Sequence, residues 1–148
     1  MTAMVGEPEA IDQIDREILR ILRDDARIPW QALAGRVHLS ANATADRVRR
    51  LARRGVIRRF TADVDQAALG RDLEAVVDVL VNPGAGDQME VALRERDDIG
   101  WLAHMTGRVD YRMIVHCDGT RGLDDFLKWL RDNGARETNT TVVLRRVV

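Results

Sequence analysis

Between Ile11 and Gly55 the apolar residues recur at helical spacing in three short blocks joined by connectors of a few residues, which leaves the chain few ways to fold. Ile11, Ile14, Ile18, Leu19 and Leu22 form the first stripe, with Asp12 and Asp15 placed where a helix dipole favours negative charge. Pro29 suits the first turn of a second helix with the stripe Trp30, Leu33, Ala34 and Val37. The residues "HLS" then make a turn, and Ser40 is suited to cap a third helix whose apolar face is Ala41, Ala45, Val48, Leu51 and Ala52. Gly55 stands where a helix C-cap belongs. Three helices joined this tightly predict a helix-turn-helix over 11–60, and "VIRRFTADV" after it reads as a strand or small wing.

The period changes further on. Residues 61–72 read as wing and connector, and from 73 the apolar spacing alternates. "LEAVVDVLV" predicts a strand, "NPGAG" a loop, and Met89, Ala92 and Leu93 a helix. "WLAHMT" and "YRMIVHC" read as strands joined by the "GRVD" loop; Leu123, Phe126, Leu127 and Leu130 mark a helix, and "ETNTTVVLRRVV" a last strand. The order strand, helix, strand, strand, helix, strand over 73–148 predicts a ferredoxin-like unit, so the fold class is α+β. Residues 1–10 read as a loose N-terminus.

The overall charge of -1 hides a division. Residues 11–60 hold 12 Arg against 6 acidic residues, while residues 61–148 hold 11 basic against 16 acidic ones. Seven of those arginines fall between Arg47 and Arg59 with no carboxylate among them, where like charges at helical spacing repel. A charged face is commonly just solvated, but such faces mix signs; an unmixed one implies that its counter-charge arrives with a polyanionic partner, here double-stranded DNA. Steps of 100° from Val48 put Asn42, Ala43, Asp46, Arg47, Arg50, Arg53 and Arg54 on the outer half. Asn42 and Arg47 are the candidate base readers, because Asn pairs with adenine and Arg with guanine through two hydrogen bonds. Arg50, Arg53, Arg54, Arg58 and Arg59 are candidates for phosphate contacts, Ser40 and Ala43 flank them at the helix start, and Asp46 is expected to brace Arg50. His38, in the turn, reads as a surface or phosphate-contacting residue.

These residues, from "IDREIL" through "RVRRLARRGVI" to the "GRVDY" loop, resemble the Lrp/AsnC family, the leucine-responsive or feast/famine transcription regulators, over about Ile11 to Val148. The resemblance implies a winged helix-turn-helix, a hinge and a βαββαβ (RAM-type) effector domain. It further implies homodimers that often assemble to octamers, and an amino acid or related metabolite bound between subunits. Two stretches depart from the family pattern. "SANATAD" lacks the early Ser or Thr and Pro of many relatives, and "RDNGARET" lacks the proline often found before its glycine.

Gly107 opens a tight loop where a missing side chain exposes backbone N–H groups, and Asp110 offers a carboxylate at the strand edge. Together they suit the carboxylate and ammonium of a free amino acid; making the turn is their simpler role. Arg108 lies between them, and by resemblance Thr138 and Thr140 border the same pocket, although both equally suit ordinary strand filling. His104, His116 and Cys117 lack metal-ligand spacing, so no metal or other cofactor is expected. No nucleophile elbow, phosphate loop or carboxylate pair indicates an enzyme. Trp101, Phe126 and Trp129 are expected in the core or at a subunit interface. The single cysteine, the lack of a secretory signal and the absence of a membrane-length apolar run read as a cytoplasmic protein without membrane contact. The function expected is a sequence-specific regulator that senses an amino acid. The competing reading is an architectural protein that coats or bends DNA with no effector.

Overall fold

A computed structural model describes residues 10–147, so the expectation for 1–10 lies, Ala10 apart, outside the described residues. The chain divides into two compact units at Asp63/Val64.

The first unit contains α1 (Gln13–Asp24), α2 (Trp30–Val37) and α3 (Ala41–Arg53). Each helix ends on a feature of its sequence. Asp12 caps α1 by accepting the Asp15 N–H at 2.7 Å. His38 closes α2 in the left-handed region at φ 56°, a conformation uncommon outside glycine that turns the chain directly into the next helix. Ser40 then caps α3 through the Ala43 N–H at 3.2 Å. Gly55, at φ 71°, ends α3: its N–H donates to the Ala52 carbonyl and the Val56 N–H to that of Leu51, both at 3.0 Å. Ile18, Ile21, Leu33, Val37, Val48 and Leu51 form the core. Each such side chain, fully buried, contributes roughly 1.5–3 kcal/mol relative to exposure.

Three expectations change here. Trp30, at the start of α2, is not among these core residues: it is 45% exposed and borders an open groove with Leu22 and Val48. Thr44 replaces Ala41 as a buried residue of α3, its hydroxyl donating to the Ser40 carbonyl at 2.9 Å. The segment "VIRRFTADV" forms no strand among the described residues, because no second arm of a hairpin lies beside it to take up its hydrogen bonds.

The second unit runs, after a short 3-10 turn at Ala67–Leu69, through β1 (Leu73–Val81), α4 (Gly86–Arg94), β2 (Ile99–His104), β3 (Tyr111–Cys117), α5 (Gly119–Asp132) and β4 (Ala135–Val142). The strands form one antiparallel sheet in the order β2-β3-β1-β4, the ferredoxin-like arrangement expected. Ala75, Val77, Val79, Met113 and Val115 point to the face where Met89, Leu93, Phe126 and Leu130 of the helices bury them. The opposite face is built from the alternate residues, among them Val76, Asp78, Leu80, Trp101, Arg112 and Ile114. The expected last strand is shorter than its β-branched run: β4 stops at Val142, and Arg146 beyond it bonds Glu74 of β1 instead.

Candidate nucleic-acid interface and ligand cavity

The arginine run of α3 does not stand free as a block. Arg47 turns toward the first turn of α1, its Nη1 donating to Asp12 Oδ2 at 2.6 Å and to Asp15 Oδ1 at 2.9 Å. Asp15 is only 1% exposed, so this guanidinium neutralises a buried carboxylate, and Arg47, expected to read bases, is engaged within the unit. The physical reason is its position about 100° from the centre of the buried face: from that flank the long side chain reaches a neighbouring helix as readily as solvent. The backbone N–H of Asp15, followed by the Arg47 guanidinium, holds the Asp12 carboxyl below its ordinary range, and Asp12 with Asp15 raises Arg47. Arg50 is half-buried with Nη2 3.7 Å from Asp15, and Arg54 is likewise half-buried. Asp46 pairs with Arg49 at 2.8 Å, not with Arg50 as expected; an i,i+3 pair was open to it as much as the i,i+4 one.

What remains on the outer surface is Asn42, Ala43, Asp46, Arg49 and Arg53 on α3, with Ser40 exposed at its cap. Arg53 forms no ion pair among the described residues. Arg58 and Arg59, also exposed, follow the helix and line a groove of about 710 Å³ with Arg16, Arg20 and Arg23 of α1 over a floor that includes Leu19, Leu22 and Ile57. An exposed helix held by a tight turn, with amide and cationic side chains along it, suits a major groove and its phosphates. Arg49 was missed as a surface cation of this face, although its position beside Arg53 on the wheel was available.

In the sheet unit the residues expected to form one ligand pocket divide among several places. Arg108 and Thr138 line a cavity of about 570 Å³ together with Asp78, Met105, Thr106, Arg112, Glu137 and Asn139. Asp78↔Arg112, Asp78↔Asn139 and Leu80↔Glu137 are cross-strand partners, so this cavity opens on the sheet face away from the helices. The Arg112 guanidinium grips Asp78 through two bonds, of 2.6 and 2.9 Å, and holds its carboxyl below the ordinary range. Asp110, by contrast, is directed to the backbone: Oδ2 accepts the Val81 N–H at 2.8 Å, and its own N–H donates to the Val79 carbonyl. The acceptor meets β1 where its register with β4 shifts between Leu80 and Val81, which explains why a side chain is needed there. Asp110 also borders a second cavity, of about 480 Å³, with Gly86, Asp87, Glu90, His104 and Tyr111. Gly107 takes φ 110° in an open loop, and Thr140, opposite Val77, lines neither cavity. Arg112, Asp78, Glu137 and Asn139 escaped the sequence because only the strand register brings them together.

Among the described residues no group of three or more His, Cys, Asp and Glu side chains is placed to hold a metal, and no helix is long and apolar enough to cross a membrane. His104 stacks on Tyr111 at 5.0 Å and His116 lies 3.6 Å from Glu74.

A helix-turn-helix with an exposed third helix, joined on one chain to a βαββαβ unit with an open polar cavity, defines a DNA-binding transcriptional regulator with a separate ligand-binding domain. Residues 11–58 match the model for winged helix-turn-helix DNA-binding, and residues 74–148 the model for the Lrp/AsnC ligand binding domain. The chain therefore belongs to the Lrp/AsnC family. It is 32% identical to the transcriptional regulator LrpA of Mycobacterium tuberculosis, covering 92% of this chain and 91% of that one. With the regulator AldR of Mycolicibacterium smegmatis it shares 36% identity over 83% of this chain and 72% of the relative. Among solved structures, a feast or famine regulatory protein of M. tuberculosis complexed with L-methionine superposes with a TM-score of 0.87 at 31% identity, over 94% of this chain and 95% of the other.

Proposed function

We propose that this regulator reads specific duplex sequences with α3 and senses an amino acid in the sheet unit. The observation that carries the reading is the cavity on the open face of the sheet, where cations (Arg108, Arg112) and carboxylates (Asp78, Glu137) converge with Thr106, Thr138 and Asn139. An α-amino acid carries both charges on adjacent atoms and needs complements to both. Asp78 and Arg112 already satisfy each other, so Arg108 is assigned to the ligand carboxylate and Glu137 to its ammonium. The L-methionine bound by the M. tuberculosis relative supports an amino acid as the ligand class.

The same face supports assembly. Trp101 is 47% exposed beside half-buried Val76, Leu80 and Ile114, so a second copy laid on this face would bury apolar surface and close the cavity between subunits. A dimer also supplies the second recognition helix that a palindromic site requires, and octamers follow from further pairing of such dimers. Asn42 and Ala43 are assigned to the groove, with Ser40, Arg50, Arg53, Arg54, Arg58 and Arg59 toward the backbone.

The test is recovery and sequencing of genomic fragments retained by the full chain, with and without L-methionine or pooled amino acids. The expected result is a shared inverted repeat with half-sites about 10 base pairs apart, whose occupancy changes with the amino acid. Fragments without common sequence and indifferent to amino acids would instead establish the architectural role. A thermal shift by the active amino acid is expected in parallel, since a ligand of the native state raises its stability.

A further inference from the structure

We propose that Arg47, Asp12 and Asp15 form a clamp that sets the angle at which α3 is presented, making Arg47 a positioning residue that does not touch DNA. The inference rests on α3 as the DNA-reading helix and goes beyond it by assigning the control of its orientation to the first turn of α1.

The geometry is specific. Asp12 is fixed to that turn by its own cap, Oδ1 accepting the Asp15 N–H at 2.7 Å, which leaves Oδ2 for Arg47 at 2.6 Å. One turn further in sense, Asp15 is buried and offers Oδ1 to the same Nη1 at 2.9 Å. A single guanidinium nitrogen is thus held by two carboxylates on a rigid helix, both also favoured by the positive end of the α1 dipole. Arg50 adds a longer ion pair, its Nη2 3.7 Å from Asp15, and Ile18 and Ile21 share one aliphatic core with Val48 and Leu51. Apolar packing of this kind holds helices together without fixing their rotation, whereas a bifurcated charged bond is directional. For Arg47 to reach a phosphate it would have to abandon a carboxylate that has almost no water to replace it. The clamp joins the start of α1 to the middle of α3, so a small change there moves Asn42, Ala43 and Arg53 together.

The experiment compares the full chain with Asp15→Asn/Arg47→Gln, which keeps net charge, with Arg47→Lys, and with Arg53→Gln as a phosphate-contact control. Duplexes are selected from a random library by the unmodified chain, and affinity is measured against salt and against every single-base change. The double variant is expected to keep the salt slope, to lose about tenfold in discrimination, and to spread that loss over several base pairs. Arg47→Lys, whose single ammonium lacks the guanidinium's geometry, is expected to do the same to a smaller degree if the double variant fails to fold. Arg53→Gln is expected to lower the slope by about 0.9 with the base preferences unchanged. A slope reduced by about one in the double variant, or a loss confined to one base pair in either Arg47 variant, would make Arg47 a direct contact and overturn the clamp. Unchanged discrimination in a folded variant would overturn it too. If the unmodified chain selects no sequence at all, α3 is not a reading helix and the positioning role falls with that assignment.

Discussion

Replacing Asp110 tests how the ligand-binding unit is built and separates two roles that one carboxylate can play. In the structure, Asp110 Oδ2 accepts the half-buried Val81 N–H at 2.8 Å where the β1 register shifts. Asp110→Ala leaves that donor without an acceptor, at a cost of about 1–3 kcal/mol. For a unit of this size each kcal/mol moves the midpoint by roughly 4–8 °C, so Asp110→Ala should lower the sheet unit's Tm by about 4–24 °C. Asp110→Asn keeps a carbonyl oxygen for Val81 and loses only charge, so its loss should stay below about 1 kcal/mol. Thermal unfolding followed by circular dichroism and by fluorescence of Trp101 and Trp129 reports the unit directly. The amino-acid-induced Tm increase, measured on the same samples, should survive Asp110→Asn, because the cavity assigned to the ligand is lined by Arg108 and Glu137 and not by Asp110. Equal Tm losses in the two variants would refute the hydrogen-bond argument. A stable Asp110→Asn that no longer responds to any amino acid would move the ligand to the second cavity.

A Cβ added at Gly100 would stand 2.7 Å from His116 Nε2, so Gly100→Ala should destabilise the sheet by about 1–3 kcal/mol, measured as a lower denaturant midpoint with unchanged slope. In acid, both units should weaken together. Asp12 in the first unit and Glu74 and Asp78 in the second are held below their ordinary values of 3.8, 4.5 and 3.8. Lowered carboxyl values stabilise the fold above those ordinary values, and the contribution is lost as pH falls through the lower folded ones. Denaturant titrations between pH 7 and pH 3 should therefore show stability roughly constant to about pH 5 and declining below it, and an increase toward pH 3 would contradict the assignment.

The legible parts of this protein are those governed by neighbours in sequence. Helical spacing, the Ser40 cap and Gly55 together disclosed the helix-turn-helix, because capping and amphipathicity act over three or four residues. The alternation of Tyr111, Met113, Val115 and Cys117 marked β3 and its core face for the same reason. "IDREIL" and "RVRRLARRGVI" further carried the family. The destination of Arg47 was decided by tertiary structure, since its two carboxylates lie 35 and 32 residues away and only helix packing brings them within reach. The separation of Asp110 from Arg108 and Thr138, the union of Asp78 with Arg112, and the exposure of Trp30 and Trp101 are of the same kind. Composition and spacing state which groups can ionise and which faces are apolar. Which charges meet, and which apolar faces remain uncovered, depends on strand register and interhelical angle, and those are properties of the packed whole.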